Sequence, residues 1–134
     1  MQSQHLFRLL LIEDVDDLQT ILRFSMEAMA GWQVIMATSH QDWLTVAKDK
    51  APDVILLDEH VNSPDSLAQL KSSTLTQYIP VVCLVSRDRL TDQLKAKKAG
   101  AAAIVAKPFD PIVLVKTILD IVKSPAYDEA FNIE

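Results

Sequence analysis

The chain is very poor in glycine. Only two of its 134 residues are glycine, Gly31 and Gly100, and each falls where a predicted helix ends. No glycine is left to build a loop that cradles phosphate groups. A Walker A nucleotide site and a dinucleotide-binding fingerprint both need closely spaced glycines, so both are excluded.

Cysteine, histidine and positive charge are also scarce. The single cysteine, Cys83, lies in the middle of an apolar run, so we expect a buried and unreactive thiol. The three histidines are scattered and show no spacing typical of a zinc site; His60 is notable only because it follows Asp58 by two residues. The net charge of −5 argues against direct binding of nucleic acid.

Long hydrophobic runs are absent as well. The chain starts without a basic segment, and the apolar run that follows is too short for a signal peptide or a membrane span. We therefore expect a cytoplasmic protein that makes no contact with a membrane. The 49% share of hydrophobic residues excludes disorder, and the length of 134 residues suits one domain.

Four short apolar runs are present instead, and each stops at polar residues. The runs are residues 9–12, 54–57, 81–85 and 101–106. Apolar runs without strict alternation are typical of strands buried on both faces, as in a parallel sheet covered by helices. The polar side chains that follow are Glu13, Asp14, Asp58, Ser86 and Lys107. Because the carboxyl ends of parallel strands share one edge, we expect these groups to gather there, a set suited to metal-assisted phosphoryl transfer.

Helical and extended patterns alternate along the chain. We predict strands at residues 6–12, 33–36, from 54, from 81 and up to 107, and helices at residues 17–30, 39–48, from 64, 88–99 and from 111 to before 124. This βαβαβαβαβα order predicts a doubly wound parallel sheet with right-handed crossovers.

Several helices carry signals at their starts. Asp17 is the expected cap of the first helix, and residues 39–42 resemble a capping box that opens the second. Ser63 and Pro64 start the third helix, whose Leu67 and Leu70 should face inward. The inner face of the first helix is predicted to hold Leu18, Ile21, Leu22, Ser25 and Met29.

The strand-end motifs together resemble the receiver domain of response regulators. They comprise residues 9–14, 52–58, 80–86 and 100–109, and the resemblance covers residues 6–123. It implies a flavodoxin-like α/β fold, in which a five-stranded parallel sheet of order 2-1-3-4-5 is flanked by five helices in three layers. Residues 1–123 would form this domain, and residues 124–134 would be a C-terminal tail or the start of a linker.

By this resemblance, Asp58 accepts a phosphoryl group in a two-component signalling system. Glu13 and Asp14 would hold Mg²⁺ together with Asp58, and Ser86 and Lys107 would contact the phosphoryl oxygens. The Lys107–Pro108 bond is expected to be cis. The phosphodonor would be a sensor histidine kinase or a phosphotransfer protein, and the chain would catalyse only its own phosphoryl transfer and dephosphorylation. A second copy or a downstream protein would bind the face of helix four, strand five and helix five.

Three positions depart from the usual pattern of that family. Asn62 stands where proline is common, Ser66 where glycine is common, and Ile104 where an aromatic switch residue is common. We therefore expect an unusual loop after Asp58 and a small response at Ile104, whose branched side chain has few rotamers. The charged dimer contacts that the winged-helix transcription factors carry on helix five are also missing.

Two other classes of function remain open from the sequence. Asp14-Val15-Asp16 resembles the nucleophile motif of haloacid-dehalogenase-type phosphatases, although Leu18 stands where that motif continues with Thr or Val. Such an enzyme would leave Asp58 without a role. The second alternative is a pseudo-receiver, a protein-interaction module of the same fold that is never phosphorylated.

Overall fold

Strands and helices alternate in the computed structural model, which describes residues 7–58, 61 and 64–122. The strands are β1 (Arg8–Ile12), β2 (Gln33–Ala37), β3 (Val54–Asp58), β4 (Val81–Ser86) and β5 (Ala103–Lys107). The helices are α1 (Asp16–Ala30), α2 (Trp43–Lys50), α3 (Pro64–Ser72), α4 (Leu90–Lys98) and α5 (Pro111–Val122). No helix in the described part of the chain is long and apolar enough to cross a membrane.

The five strands form one parallel sheet in the order β2-β1-β3-β4-β5. The predicted fold class and strand order are therefore confirmed. Leu11 lies opposite Leu56 on the neighbouring strand, and Ser86 lies opposite Lys107. This register brings the ends of the strands to one edge of the sheet, which we call the rim.

A separate hydrophobic core covers each face of the sheet. On one face α1 and α5 pack against alternate strand residues, with Leu22 and Ile118 among the fully buried side chains. On the other face α2, α3 and α4 cover the remaining strand residues, and the predicted inward positions Leu67 and Leu70 are buried. The apolar runs lack alternation because both faces of each strand are covered.

The first helix differs from its prediction at both its cap and its buried face. It begins at Asp16 after Val15, and no side chain caps it, so the prediction that Asp17 is the cap is wrong. Asp17 lies in the first turn, where the partial positive charge of the helix end favours an acid. The buried positions are Leu22, Ser25 and Met26, whereas Ile21 and Met29 are about half exposed, at 51% and 47%.

The second helix begins later than the capping-box pattern suggested. Asp42 is itself the N-cap: its carboxylate accepts hydrogen bonds from the backbone N–H of Thr45 at 3.2 Å and from its hydroxyl at 2.7 Å. Because a short carboxylate is a good cap in its own right, the helix starts at Trp43 rather than near Ser39. It ends at Lys50, beyond the predicted end.

The fourth helix is also shorter than predicted. It starts at Leu90 instead of Asp88, because the N–H of Arg89 donates to the carbonyl of Ser86 at 3.0 Å and closes a turn first. Gly31 and Gly100 follow their helices with φ of 70° and 106°, as expected for residues that end helices. Ser63, the expected cap of α3, and residues 123–134 lie outside the described part of the chain.

Cys83 is buried in β4, as expected. Burial raises the pKa of its thiol to about 12, because no water reaches the group to stabilise the thiolate. The thiol is therefore protonated and unreactive in the folded protein at neutral pH.

We predict that Leu56→Ala lowers the free energy of unfolding by about 2–5 kcal/mol, because the side chain is fully buried at the centre of the sheet and its removal leaves a cavity. Chemical denaturation measures the change. The matched control is Leu75→Ala, at a leucine that is 64% exposed, which should change stability by less than about 0.5 kcal/mol. Equal losses in the two variants would contradict the assignment of the core.

Candidate functional site at the rim of the sheet

Four of the five predicted site residues meet at the rim because four strands end there. Glu13 follows the last residue of β1, Asp58 and Ser86 end β3 and β4, and Lys107 ends β5. Asp58 and Glu13 are both fully buried, which is uncommon for carboxylates and calls for charged or hydrogen-bonding partners.

The strongest contact at the rim joins Asp58 to Lys107. Nζ of Lys107 donates to Oδ1 of Asp58 at 2.7 Å, a short charge-assisted hydrogen bond. The lysine side chain is only 18% exposed, so water screens this pair weakly. The Lys107–Pro108 peptide bond is cis, as predicted.

Glu13 is held beside this pair by the backbone that follows it. Its Oε2 accepts hydrogen bonds from the N–H groups of Asp14 at 3.1 Å and Val15 at 3.2 Å, and the amide of Gln19 donates to its carbonyl oxygen. Its Oε1 is buried and accepts no hydrogen bond from the residues that the structure describes. Burial raises the pKa of Glu13 to about 7; the N–H of Val15 acts against this rise, and the negative charge of Asp58 adds to it.

Asp14 points elsewhere. Its Oδ1 accepts from the N–H of Ser39 at 2.6 Å, and its Oδ2 accepts from the hydroxyl of Ser39 at 2.5 Å. Ile12 pairs with Ala37 across β1 and β2, so the residues just beyond these two strands are neighbours. Within the described residues, no three histidine, cysteine or acidic side chains are grouped closely enough to hold a metal ion. The structure thus brings Glu13 and Asp58 together but not Asp14.

Ser86 lies in the turn that connects the rim to α4. Its carbonyl accepts hydrogen bonds from the N–H of Arg89 at 3.0 Å and from the side-chain amide of Gln93 at 3.1 Å. The N–H of Arg87 donates to the carbonyl of Lys107 at 3.1 Å, which ties the same turn to β5. We did not predict from the sequence that Gln93 contacts the rim. The available signal was its position one helical turn after Arg89, which places its side chain near the start of α4.

Ser66, which stands where glycine is common in the family, has a clear structural role. Its buried hydroxyl donates to the carbonyl of Val61 at 2.8 Å, and the N–H of Val61 donates to the carbonyl of Asp58 at 3.0 Å. A glycine at position 66 would lack the first of these bonds. The other loop residues singled out from the sequence, His60 and Asn62, lie outside the described residues, so the unusual loop stays a prediction.

This geometry defines a class of protein: doubly wound α/β domains that carry buried acids and a lysine at the rim of the sheet. The family model of the response regulator receiver domain matches residues 9–119. The protein PilH of Pseudomonas aeruginosa is 34% identical over 110 residues, which cover 78% of this chain and 90% of PilH. The transcriptional regulatory proteins AfsQ1 of Streptomyces coelicolor and CpxR of Escherichia coli, 32% and 29% identical, are matched over about half of their length, 47% and 52%.

Solved structures agree on the fold. A response regulator from Chloroflexus aurantiacus superposes with a TM-score of 0.82 at 24% identity, covering 90% of this chain and 100% of that one. The receiver domain of the sensor histidine kinase PA1611 from Pseudomonas aeruginosa gives a TM-score of 0.79 at 20% identity, over 90% and 100% of the two chains. That neighbour has a magnesium ion coordinated in its active-site cleft.

The chain belongs to the response-regulator receiver domain family. Members of this family are signalling switches of two-component systems rather than conventional enzymes, and they interact with histidine kinases. Membership also removes the ground for the phosphatase interpretation of Asp14-Val15-Asp16.

We predict that Lys107→Met lowers the free energy of unfolding by about 3 kcal/mol, because the buried Asp58 carboxylate loses the ammonium that compensates its charge. The double variant Asp58→Asn/Lys107→Met should recover most of this loss, since position 58 then carries no charge that needs the ammonium. Urea denaturation of the wild type, both single variants and the double variant measures the coupling. A Lys107→Met protein as stable as the wild type would show that the pair is not formed in solution.

Proposed function

We propose that this receiver is a phosphorylation-activated switch in which Asp58 accepts a phosphoryl group from the phosphohistidine of a histidine kinase or a phosphotransfer protein. The observation that carries the proposal is the buried Asp58 at the rim with the ammonium of Lys107 at 2.7 Å and the Glu13 carboxyl beside it. The ammonium of Lys107 beside the Asp58 carboxylate can also bind the oxygens of an incoming phosphoryl group.

The chemistry follows from these positions. An oxygen of Asp58 forms the bond to phosphorus while the bond between phosphorus and the donor histidine breaks, and the released imidazole keeps the electron pair and takes up a proton. Such transfers depend chiefly on in-line placement and charge neutralisation. Lys107 offers its charge to one phosphoryl oxygen, and the hydroxyl of Ser86 is suited to donate to another. Hydrolysis then makes the switch transient: a water oxygen bonds to phosphorus, the bond to the Asp58 oxygen breaks, and inorganic phosphate leaves the regenerated carboxylate.

The donor set suits Mg²⁺, which prefers oxygen ligands and keeps several of its waters. Oε1 of Glu13 is buried without a donor, and the negative charge of Asp58 acts on the same carboxyl. Glu13, Asp14 and Asp58 would hold the ion, and for this the Asp14 carboxylate, which is now hydrogen-bonded to Ser39, would have to turn toward the other two. When bound, the ion neutralises charge on the carboxylates and the phosphoryl oxygens.

A second candidate function is the pseudo-receiver, and one observation favours it. Both oxygens of the Asp14 carboxylate are already engaged by Ser39, which opposes metal binding. If this contact persists, the fold serves as an unphosphorylated interaction module. The two functions make opposite predictions about the mass of the chain after exposure to a phosphodonor.

We predict that acetyl phosphate with Mg²⁺ adds one phosphoryl group, seen by intact mass, and that Asp58→Asn abolishes the shift. Chelation of the metal should abolish it too. Asp49→Asn, a change of an exposed acid on α2, is the matched control and should leave the shift intact. A full shift in Asp58→Asn would contradict the assignment of Asp58, and no shift in the wild type at any Mg²⁺ concentration would support the pseudo-receiver.

The metal ligands have a separate test. The double variant Glu13→Ala/Asp14→Ala should lose the reaction with acetyl phosphate while its circular dichroism spectrum stays that of the wild type. Ser39→Ala, which frees the Asp14 carboxylate from one hydrogen bond, should lower the Mg²⁺ concentration needed for half-maximal labelling. Unchanged labelling of the double variant would show that the metal site lies elsewhere.

We place the docking surface of the phosphodonor at a groove of about 260 Å³ between α1 and the connection from β5 to α5. It adjoins Lys107 and is otherwise apolar, with Leu18, Ile21 and Phe109 in its wall. Ile21 is 51% exposed although apolar, as expected for a contact residue. Because such a kinase uses cytoplasmic ATP, we propose that the receiver is phosphorylated in the cytoplasm.

We predict that Ile21→Glu lowers the rate of phosphorylation about tenfold, measured with a histidine kinase that phosphorylates the wild type. The variant places a charge in an apolar contact with the kinase that is worth roughly 1.4 kcal/mol. Labelling by acetyl phosphate should be unchanged, since the small donor needs no docking surface. Met29→Glu, at an exposed residue near the other end of the same helix, is the matched control. Equal slowing with both donors would place the defect at the rim instead.

The switch itself should centre on the turn after Ser86. Ile104 is half-buried, packs against the core beneath α4 and has no ring to rotate, whereas the Ser86 turn has direct hydrogen bonds to α4. We predict that a bound phosphoryl mimic shifts residues 87–90 and leaves the Ile104 rotamer unchanged, as a pair of structures would show. A rotamer flip at Ile104 with a still Ser86 turn would contradict this mechanism.

A further inference from the structure

The turn between β2 and α2, residues 38–42, is fastened to the end of β1. The N–H of Glu13 donates to the carbonyl of Ala37 at 3.0 Å, which carries the strand pairing to the last residue of β2. Asp14 therefore lies beside the turn, where the N–H and the hydroxyl of Ser39 both donate to its carboxylate. At 2.6 Å and 2.5 Å, these are short, charge-assisted hydrogen bonds.

Gln41 fixes the shape of this turn. Its side-chain oxygen accepts a hydrogen bond from the N–H of Thr38 at 2.8 Å, and its own N–H donates to the carbonyl of Thr38 at 3.1 Å. The hydroxyl of Thr38 also accepts a hydrogen bond from the N–H of His40 at 3.3 Å. Ser39 lies between these bonded residues, so the bonds limit the directions in which its N–H and its hydroxyl can point.

The direction of the Asp14 carboxylate decides whether the acids of the rim can share an ion. Glu13 and Asp58 are close enough that the charge of Asp58 acts on the Glu13 carboxyl, but the described residues contain no group of three acids that could hold an ion. To join these two, Asp14 must give up both hydrogen bonds from Ser39, and each lost bond subtracts from the free energy of ion binding. The turn therefore lowers the affinity of the rim for Mg²⁺.

We propose that residues 38–41 form a latch that holds Asp14 away from the metal site, and that Gln41 is the positioning residue of this latch. Mg²⁺ binds when the latch opens, so residues outside the metal site set the affinity of the rim for the ion. This inference rests on the proposed metal site but not on the phosphorylation of Asp58. Because such coupling is reciprocal, ion binding must also change the turn, which leads directly into Asp42, the N-cap of α2.

A titration with Mg²⁺ followed by NMR tests the latch without any phosphodonor. The amide proton of Ser39 donates to Asp14, so its resonance should move upfield as the ion binds and this hydrogen bond breaks. Gln41→Ala should lower the Kd for Mg²⁺ about fivefold, the effect of one ordinary hydrogen bond, because the turn no longer holds Ser39 in place. Gln33→Ala, at an exposed glutamine at the other end of β2, is the matched control and should leave the Kd unchanged.

A second pair of variants tests the hydroxyl of Ser39. Ser39→Ala removes this donor and should also lower the Kd, whereas Ser39→Thr keeps a hydroxyl and should bind Mg²⁺ as the wild type does. Ser39 and Gln41 are both exposed, so these changes leave the core intact. A purely structural role of the turn predicts weaker binding in the alanine variants, so the sign of the change separates the two interpretations.

Two results would overturn the latch. One is a Gln41→Ala variant that binds Mg²⁺ no more tightly than the wild type, and the other is a Ser39 amide resonance that stays in place in the ion-saturated wild type. Failure of the proposed function has a different signature. In that case Mg²⁺ binding responds to Gln41→Ala as expected, which supports the latch, while Asp58 takes no phosphoryl group from acetyl phosphate.

Discussion

The ion pair between Asp58 and Lys107 is the interaction on which the rim depends. It lies where three neighbouring strands stop together, so each group enters a place with little water. A buried carboxylate is stable only when a cation or several donors compensate its charge, and here β5 supplies the cation from the edge of the sheet. The same pair acts on Glu13: the negative charge of Asp58 adds to the rise in the pKa of its carboxyl, and the positive charge of Lys107 opposes it.

The two acids at the end of β1 differ because of their backbone positions. Glu13 turns inward, and its carboxylate collects the N–H groups at the start of the following segment. Asp14, one residue later, faces the neighbouring strand and finds a serine there. Adjacent residues in an extended chain point to opposite sides, so Glu13 is fully buried and Asp14 only partly. A metal ion at this rim could bind both acids only if the side chain of Asp14 turned toward that of Glu13.

Much of the fold was predictable because both faces of the sheet are covered. Continuous apolar runs such as residues 54–57 have only one stable environment, and the polar residues at their ends must then share an edge. This logic predicted which residues reach the rim. It did not predict the contact of Asp14 with Ser39, because the order of elements does not give the direction of a side chain.

Helix details were less predictable for a similar reason. The buried face of α1 includes Met26 and leaves Ile21 exposed. The apolar residues of this helix cover more of its surface than α5 and the sheet can bury, so packing against them decides which of these residues face inward. At α2 and α4, several residues were able to cap or to form a turn, and local hydrogen bonds selected among them. The turn bond from the N–H of Arg89 to the carbonyl of Ser86 is one of these, and the sequence pattern did not single it out.

The hydrogen bond from Gln93 to the Ser86 carbonyl gives α4 the properties of a lever. The helix is about 14 Å long; hydrogen bonds from Arg89 and Gln93 to the Ser86 carbonyl tie its start to the rim, and Ala96 is its buried residue near the other end. A small displacement of the Ser86 turn would therefore pivot the helix about Ala96 instead of compressing it. The amplitude of the movement would be greatest at Leu90, about 9 Å from this pivot, and small at Lys98, about 3 Å beyond it and moving in the opposite direction.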